Sequence, residues 1–298
     1  MAFQYTVAAA GRTLALGDRP WLMGIVNASP DSFSDAGAYP GIDARVAHAR
    51  ELLEAGADII DVGGESQITR RPPVAVEQEI ERVVPLVERL VGELGAVVSV
   101  DTYKPPVAAA AIAAGAVIVN DVSGLRDPHL AGVCAQTGAA LVLMHTRAAP
   151  KQRLQDPDLY DDVVADVVSF LAERMGVARE QGVADEQLIL DPGPDFAKTP
   201  SQTIALLGRL DALHELGRPL LLAVSRKDFV GALTGRAPGD RLAGTLAAVG
   251  HGVDAGAHIL RVHDVAAVAD FLAVRATLRG EVAVQARLAL DDAIRHAR

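Results

Sequence analysis

The sequence predicts an α/β fold, a single (β/α)8 TIM barrel with a short N-terminal hairpin, and three observations carry that prediction. The first is a recurring unit. "EAGADIIDVGG", "AAGAVIVNDVSG", "QTGAALVLMHT" and "DAGAHILRVHD" each run from a helical segment through Gly-Ala into a short apolar stretch and then polar residues, and "LGAVVSVDT" is a shorter version. The glycine suits the left-handed position that ends a helix. The apolar stretch reads as a strand covered on both faces, hence parallel. The second observation is number: eight such strands alternate with helical patterns over about 260 residues, which matches a closed barrel. The third is an absence. An open doubly wound sheet needs a glycine-rich phosphate loop after its first strand, and no G-x-G-x-x-G or Walker A sequence occurs.

Taken in order, residues 1–20, with "TVAAAGRTLAL", read as a hairpin closing the bottom of the barrel. Strands are expected near 21–27, 58–64, 96–102, 117–123, 140–146, 188–193, 220–226 and 258–264. Helical patterns fill 42–55, 75–94, 105–114, 128–137, 159–182, 201–216, 241–255 and 266–279. "VEQEIERVVPLVERLVGEL" has the apolar spacing of a helix lying on a sheet, with Pro85 as a point of kinking. Pro105 and Pro106 stand where a helix begins, a position that tolerates proline. The charged, Ala-rich residues 281–298 read as a loose terminal helix. No linker divides the chain, so residues 1–298 are expected to form one domain with its barrel core at about 21–280.

Composition narrows the function classes. Half the residues are hydrophobic but only 4% are aromatic, which suits a helix-rich α/β protein better than a sandwich or a disulfide scaffold. A formal charge of −10 argues against a nucleic-acid or membrane-surface binder. It leaves room for an anionic ligand held by a few local cations. Cys134 is the only cysteine, so no intrachain disulfide forms and a reducing compartment is expected. In "AGVCAQTGA" it reads as a core thiol at a helix end rather than a nucleophile. The N-terminus lacks a basic region followed by an apolar signal core, and no stretch approaches the ~18 uninterrupted apolar residues of a membrane span. A cytoplasmic protein is expected.

The polar residues fall at the strand ends, where a barrel places its chemistry. They are Asn27, Asp61 with Glu65, Asp101, Asn120 with Asp121, His145, Asp191, Ser225-Arg226-Lys227, and Arg261 with His263-Asp264. Alternation along a strand pairs Ser225 with Lys227 and Arg261 with His263, leaving Arg226 and Asp264 on the opposite faces. Arg261 and His263 together make a cationic patch suited to phosphate or pyrophosphate. Asp101 and Asp191 are acceptors for a ligand bearing N–H donors, Asn120 offers both donor and acceptor, and Lys227 can meet a carbonyl or ring nitrogen. The set describes a flat polar heterocycle held deep in the barrel with an anionic tail above it. Asn27 would help bind a phosphate-bridging Mg²⁺, which prefers oxygen ligands. Other residues have plainer readings. Asp61 and Asp121 are expected to accept backbone N–H bonds from loops, and Asp264 to cap the last helix. His145 reads equally as structural or functional, and His48, His129, His214 and His251 as surface or packing residues. His258 and His263 differ in strand parity, and no HExxH or CxxC spacing points to zinc.

In chain order, "MGIVNASPDSFSDAG", "DVGGES", "VSVDTYK", "VNDVSG", "LMH", "LDPG..F.KT", "AVSRKDFVG" and "LRVHDV" resemble the dihydropteroate synthase family over about residues 21–280. That family condenses 6-hydroxymethyl-7,8-dihydropterin pyrophosphate with 4-aminobenzoate. The resemblance implies pterin contacts by Asp101, Asn120, Asp191 and Lys227, pyrophosphate contacts by Arg261 and His263, and Asn27 near Mg²⁺. It places Ser225 and Arg226 toward the aminobenzoate, with Phe33 and Phe196 forming its pocket, and implies catalysis through Arg261, His263 and Lys227. It further implies a homodimer through the later helices. The opening loop, with Gly37, is expected to fold over the second substrate. Two other functions compete: a paralogue that binds pterin without condensing it, and methyl transfer from methyltetrahydrofolate to a corrinoid protein. The chain also departs from the family pattern. After "GGES" the family usually continues Thr-Arg-Pro-Gly, whereas here "QITRRPP" follows. Either Gln67 replaces the Thr, or a short insertion moves Thr69 and Arg70 into that role. Pro194 and Asp195 stand where an apolar residue and Gly are usual, and "MHTRAAP" lacks the customary Gly. The expected pterin floor is intact, while the loops around the second substrate, and with them sulfonamide response, depart from the pattern.

Overall fold

The repeated Gly-Ala junctions end helices as their chemistry requires: Gly56, Gly115, Gly138 and Gly256 all have positive φ. In the computed structural model, residues 4–28, 41–65, 72–290 and 295 are described. Strands β1 (Tyr5–Ala9) and β2 (Arg12–Leu16) form the antiparallel hairpin, with Val7 opposite Leu14. Its buried Val7, Ala9, Leu14 and Leu16 plug the barrel bottom against Met23, Ile59, Ile118, Ile189, Leu221 and Ile259. The turn is tied down where Ala10 N–H donates to Gly138 O at 2.7 Å.

The barrel strands are β3 (Trp21–Asn27), β4 (Ile59–Gly63), β5 (Val98–Asp101), β6 (Ile118–Asp121), β7 (Ala140–Met144), β8 (Leu188–Asp191), β9 (Leu221–Leu222) and β10 (Ile259–Val262). They are parallel in the order β8-β7-β6-β5-β4-β3-β10-β9, and a parallel bridge between Leu190 and Leu220 closes the ring. Around them run α1 (Ile42–Glu54), α2 (Val76–Leu94), α3 (Pro105–Ala113), α4 (His129–Thr137), α5 (Val163–Glu180), α6 (Pro200–Leu207), α7 (Asp228–Thr234), α8 (Leu242–Asp254) and α9 (Val265–Leu278).

Strand alternation sorts the side chains. Leu22, Val26, Ile60, Val62, Val98 and Val100 face outward into the core shared with the helices. Inward positions are apolar at the bottom and polar at the top, so each strand delivers its last inward side chain to one mouth. Cys134 is fully buried in α4, as a core thiol should be.

Several boundaries differ from expectation. The strand expected over 220–226 pairs regularly only at Leu221–Leu222, because the chain turns at Arg226 with φ 57°. The pattern over 201–216 splits into α6 and a 3-10 helix at Leu210–Leu216, with Gly208 closing α6. The seven-residue α7 was not anticipated; it is too short for a periodic signal. Helix α2 runs through Pro85, which lies on its exposed face. Residues 281–290 hold no helix and are exposed throughout, so no buried stripe stabilises one there.

Candidate active site

A cavity of about 710 Å³ opens at the C-terminal ends of the strands. Asn27, Asp101, Asn120, Asp191 and Arg261 reach it from β3, β5, β6, β8 and β10, and Phe196, Ser225, Arg226, Lys227 and His263 from the segments that follow. Every described residue singled out from the sequence as catalytic, substrate-binding or metal-binding therefore lines one space. Phe33, Gly37 and residues 67–71 lie outside the described residues.

Strand register builds the floor. Gly63, Asp101 and Asn120 are direct neighbours across β4, β5 and β6, and Met144 pairs with Asp191. Asp61 corrects an expectation: it does not serve a loop backbone. It faces inward and fully buried, and its Oδ2 accepts from Arg261 Nε at 2.7 Å and Asn120 Nδ2 at 3.2 Å. The missed signal was parity, since Asp61 lies two residues above inward Ile59. Arg261 also donates to Asp101 Oδ2 at 3.0 Å. Its guanidinium thus lies on the floor acids, and His263 lines the same cavity. His263 turns to Ser225, whose Oγ accepts from its backbone N–H at 3.2 Å and stands 3.0 Å from Nδ1.

Among the described residues, three acceptor oxygens on this floor, Asp61 Oδ1, Asp101 Oδ1 and Asn120 Oδ1, are buried without a hydrogen-bond partner. Each orphaned group costs about 1–3 kcal/mol, a cost that a ligand presenting N–H donors would offset. Burial pushes the Asp101 carboxyl up to about 7, against the pull of Arg261. It also raises Asp191, whose Oδ1 accepts the Gly193 N–H at 2.7 Å. Lys227 is lowered by burial, against the attraction of Asp195 and Asp191, and its Nζ lies 4.3 Å from the centre of the Phe196 ring.

Arg226 and Asp264, read as pointing away from their neighbours, meet each other: Arg226 donates through Nε at 3.1 Å and NH2 at 2.6 Å. Asp264 therefore forms a bidentate ion pair, and its side chain makes no capping bond to α9. Asp121 does accept loop N–H groups, from Ser123 at 2.8 Å and Leu125 at 2.5 Å.

The sixth loop is held in an unusual backbone path, with Gly193 and Asp195 at φ 64° and Ala197 at φ 51°. A Cβ on Gly193 would come within 2.1 Å of His145 O. Asp195, standing where the family pattern has Gly, adopts a left-handed conformation that Asp tolerates better than most residues. Its carboxylate accepts from Thr203 Oγ1 at 3.0 Å and from Phe229 N at 3.2 Å. Beneath lies Lys198, 0% exposed, with Nζ donating to Gly193 O at 2.9 Å and Phe196 O at 3.1 Å, and 2.7 Å from His145 Nδ1. Nδ1 therefore accepts, and the other ring nitrogen donates to Asp166 Oδ1 at 2.9 Å. Burial lowers Lys198 to about 7, and burial with the nearby Lys198 charge lowers His145 to about 3. His145 is a neutral structural link outside the cavity lining.

Lys151, which sequence reasoning passed over, joins the rim. Glu65 Oε2 accepts from Lys104 Nζ at 2.6 Å, its Oε1 lies 3.1 Å from Lys151 Nζ, and Lys104 also reaches Glu79 at 2.6 Å. Gln152, Arg153, Leu154 and Gln155 line the cavity beside Lys151. Loop residues carry no periodicity, but the cationic run "PKQR" in so acidic a chain was an available signal.

Comparison with known proteins agrees with this geometry. Residues 23–263 match the family described as pterin binding enzyme. The chain is 43% identical over 257 residues to the dihydropteroate synthase of Bacillus subtilis (strain 168), covering 86% of this chain and 87% of that protein. Xanthomonas albilineans dihydropteroate synthase with 4-aminobenzoic acid superposes with a TM-score of 0.85 at 45% identity, covering 93% of this chain and 99% of that one. The same enzyme in complex with 7,8-dihydropteroate gives 0.79 at 42% identity, covering 92% and 98%. The chain belongs to the dihydropteroate synthase family of pterin-binding enzymes.

Proposed function

We propose that this protein is a transferase of folate biosynthesis that condenses 6-hydroxymethyl-7,8-dihydropterin pyrophosphate with 4-aminobenzoate, giving dihydropteroate and pyrophosphate. The observation that carries the reading is the floor of orphaned acceptors on Asp61, Asp101 and Asn120 inside the 710 Å³ cavity. A pterin edge carries the ring and amino N–H donors that such a floor needs. Asp101, Asn120 and Asp191 take these donors, and Lys227 meets a ring nitrogen or carbonyl. Arg261 bonds Asp61 and Asp101 through Oδ2, which leaves Oδ1 of each for the pterin N–H groups. Arg261 and His263, which line the same cavity, meet the pyrophosphate.

The methylene carbon beside the electron-rich pterin loses pyrophosphate, its C–O electron pair leaving with the anion, and the amine nitrogen attacks the resulting delocalised cation. The amine then gives up a proton. No protein nucleophile is required. Arg261 and His263 stabilise the negative charge that grows on the leaving group, while Phe196, Ser225 and Arg226 hold the arylamine in line.

Among the described residues no group of three or more His, Cys, Asp or Glu is arranged to hold a metal. Mg²⁺ needs no such cage, since it keeps waters and phosphate oxygens and takes one or two protein ligands. The Asn27 side chain, whose Oδ1 would lie 3.9 Å from a Cβ on Gly63 beside the floor, fits that role. Bound there, the ion would neutralise pyrophosphate charge. A homodimer in the cytoplasm completes the proposal. No helix among the described residues is long and apolar enough to cross a membrane.

Purified protein with Mg²⁺ and pterin pyrophosphate is expected to release pyrophosphate only when 4-aminobenzoate is added. Tight pterin binding without aminobenzoate-dependent release would instead identify a pterin-binding paralogue.

A further inference from the structure

A second cavity of about 300 Å³ lies beside the first, and Thr146 lines both. Three arginines from separate elements converge on it: Arg126 after β6, Arg147 after β7 and Arg174 in α5. The guanidinium carbons of Arg147 and Arg174 each lie 5.2 Å from the centre of the Phe170 ring. Gly124, at φ 74°, lies against the same ring, and a Cβ there would come within 2.8 Å of Phe170 Cζ. The cavity wall thus joins bare backbone, an aromatic ring and cations.

The acids near this cavity are already engaged. Asp166, outside its lining, accepts from Arg147 Nε at 3.1 Å and NH2 at 2.6 Å, and from His145 at 2.9 Å. Glu173 meets Arg174 from a position 61% exposed, where water screens the pair. Arg126 spends one N–H on Arg147 O at 3.2 Å. Among the described residues Asp166 and Glu173 pair with Arg147 and Arg174, and the charge of Arg126 acts on buried Asp121. Arg174 Nε is buried without any partner. Cation–ring contact accounts for the apolar side of each guanidinium but leaves the buried N–H unsatisfied.

We propose that this pocket is an accessory oxyanion site that takes a phosphate-class anion between Arg147 and Arg174, with Arg126 at its rim. Guanidinium forks match tetrahedral oxyanions, and several from different elements give both charge and geometry. The anion has two possible sources, free phosphate and the pyrophosphate released across Thr146. Only the second rests on the proposed reaction.

Tungstate, a tetrahedral oxyanion with strong anomalous scattering, serves as the first probe. Crystals of the wild-type protein soaked in tungstate are expected to show an anomalous peak within hydrogen-bond reach of Arg147 and Arg174, and Arg174→Gln crystals to lack it. For solution binding, Arg261→Gln protein, with its main-cavity anion contact weakened, is titrated calorimetrically with inorganic phosphate and separately with pyrophosphate. Adding Arg174→Gln is expected to reduce the affinity of the remaining site at least about tenfold. Tighter binding of pyrophosphate would mark the leaving group as the source, and tighter binding of phosphate the free anion. No tungstate peak in this pocket, a peak that survives Arg174→Gln, or equal affinities with and without Arg174 would overturn the proposal, whatever the outcome of the synthase assay.

Discussion

Lys198 is a fully buried amine, and what it holds is the sixth loop. Its folded side chain loses its proton near pH 7, whereas the unfolded side chain does so near 10.5. Between these values the unfolded chain binds the extra proton. The contribution of this group to stability therefore rises with pH across that window, by at most about 1.4 kcal/mol per pH unit. The wild-type protein is expected to gain on Lys198→Met in urea midpoint as pH is raised through this range. A constant difference would mean that the ammonium is not desolvated as its contacts require. At this scale the site was largely legible: Asp101, Asn120 and Asp191 are the last inward residues of strands whose period is two. Strand parity turns Asp61 inward, but only tertiary contact brings Arg261 to it and Arg226 to Asp264.

The elements that bear the least sequence signal are the loops, and here ion pairs do what periodicity cannot. Glu65 joins the second loop to Lys104 after β5 and to Lys151 after β7, with these side chains 2%, 12% and 7% exposed. Removing one partner of such a pair leaves uncompensated charge and costs roughly 3 kcal/mol. Glu65→Gln is expected to lower stability by that order and to speed amide exchange over residues 148–155, read by hydrogen exchange with mass spectrometry. Unchanged exchange there would show that the fifth loop keeps its place without Glu65. Asp195 shows the same economy in reverse. Its side chain supplies the bonds to Thr203 and Phe229 that hold a left-handed turn otherwise suited to glycine.

For the molecule as a whole, one helix face stands apart from the rest. Val274 and Leu278 of α9 are 59% and 83% exposed, and the following segment adds exposed Val282, Val284 and Leu288. Exposed apolar groups gathered on one segment mark an association surface better than scattered ones. If the proposed homodimer uses this surface, Leu278→Lys, which leaves the barrel core untouched, is expected to shift the species seen by light scattering from dimer to monomer. A dimer of unchanged mass and concentration dependence would place the contact elsewhere.

By itself the sequence determined the barrel, the hairpin beneath it and the polar mouth, because burial on both faces writes each parallel strand as a continuous apolar run and period two selects the side that points inward. Its ordered motifs determined the family as well. Only the tertiary structure decided which charges meet. Arg261 on Asp61 and Asp101, Lys198 beside His145, and Arg147 over the Phe170 ring join residues far apart in the chain, and no local pattern encodes such distances.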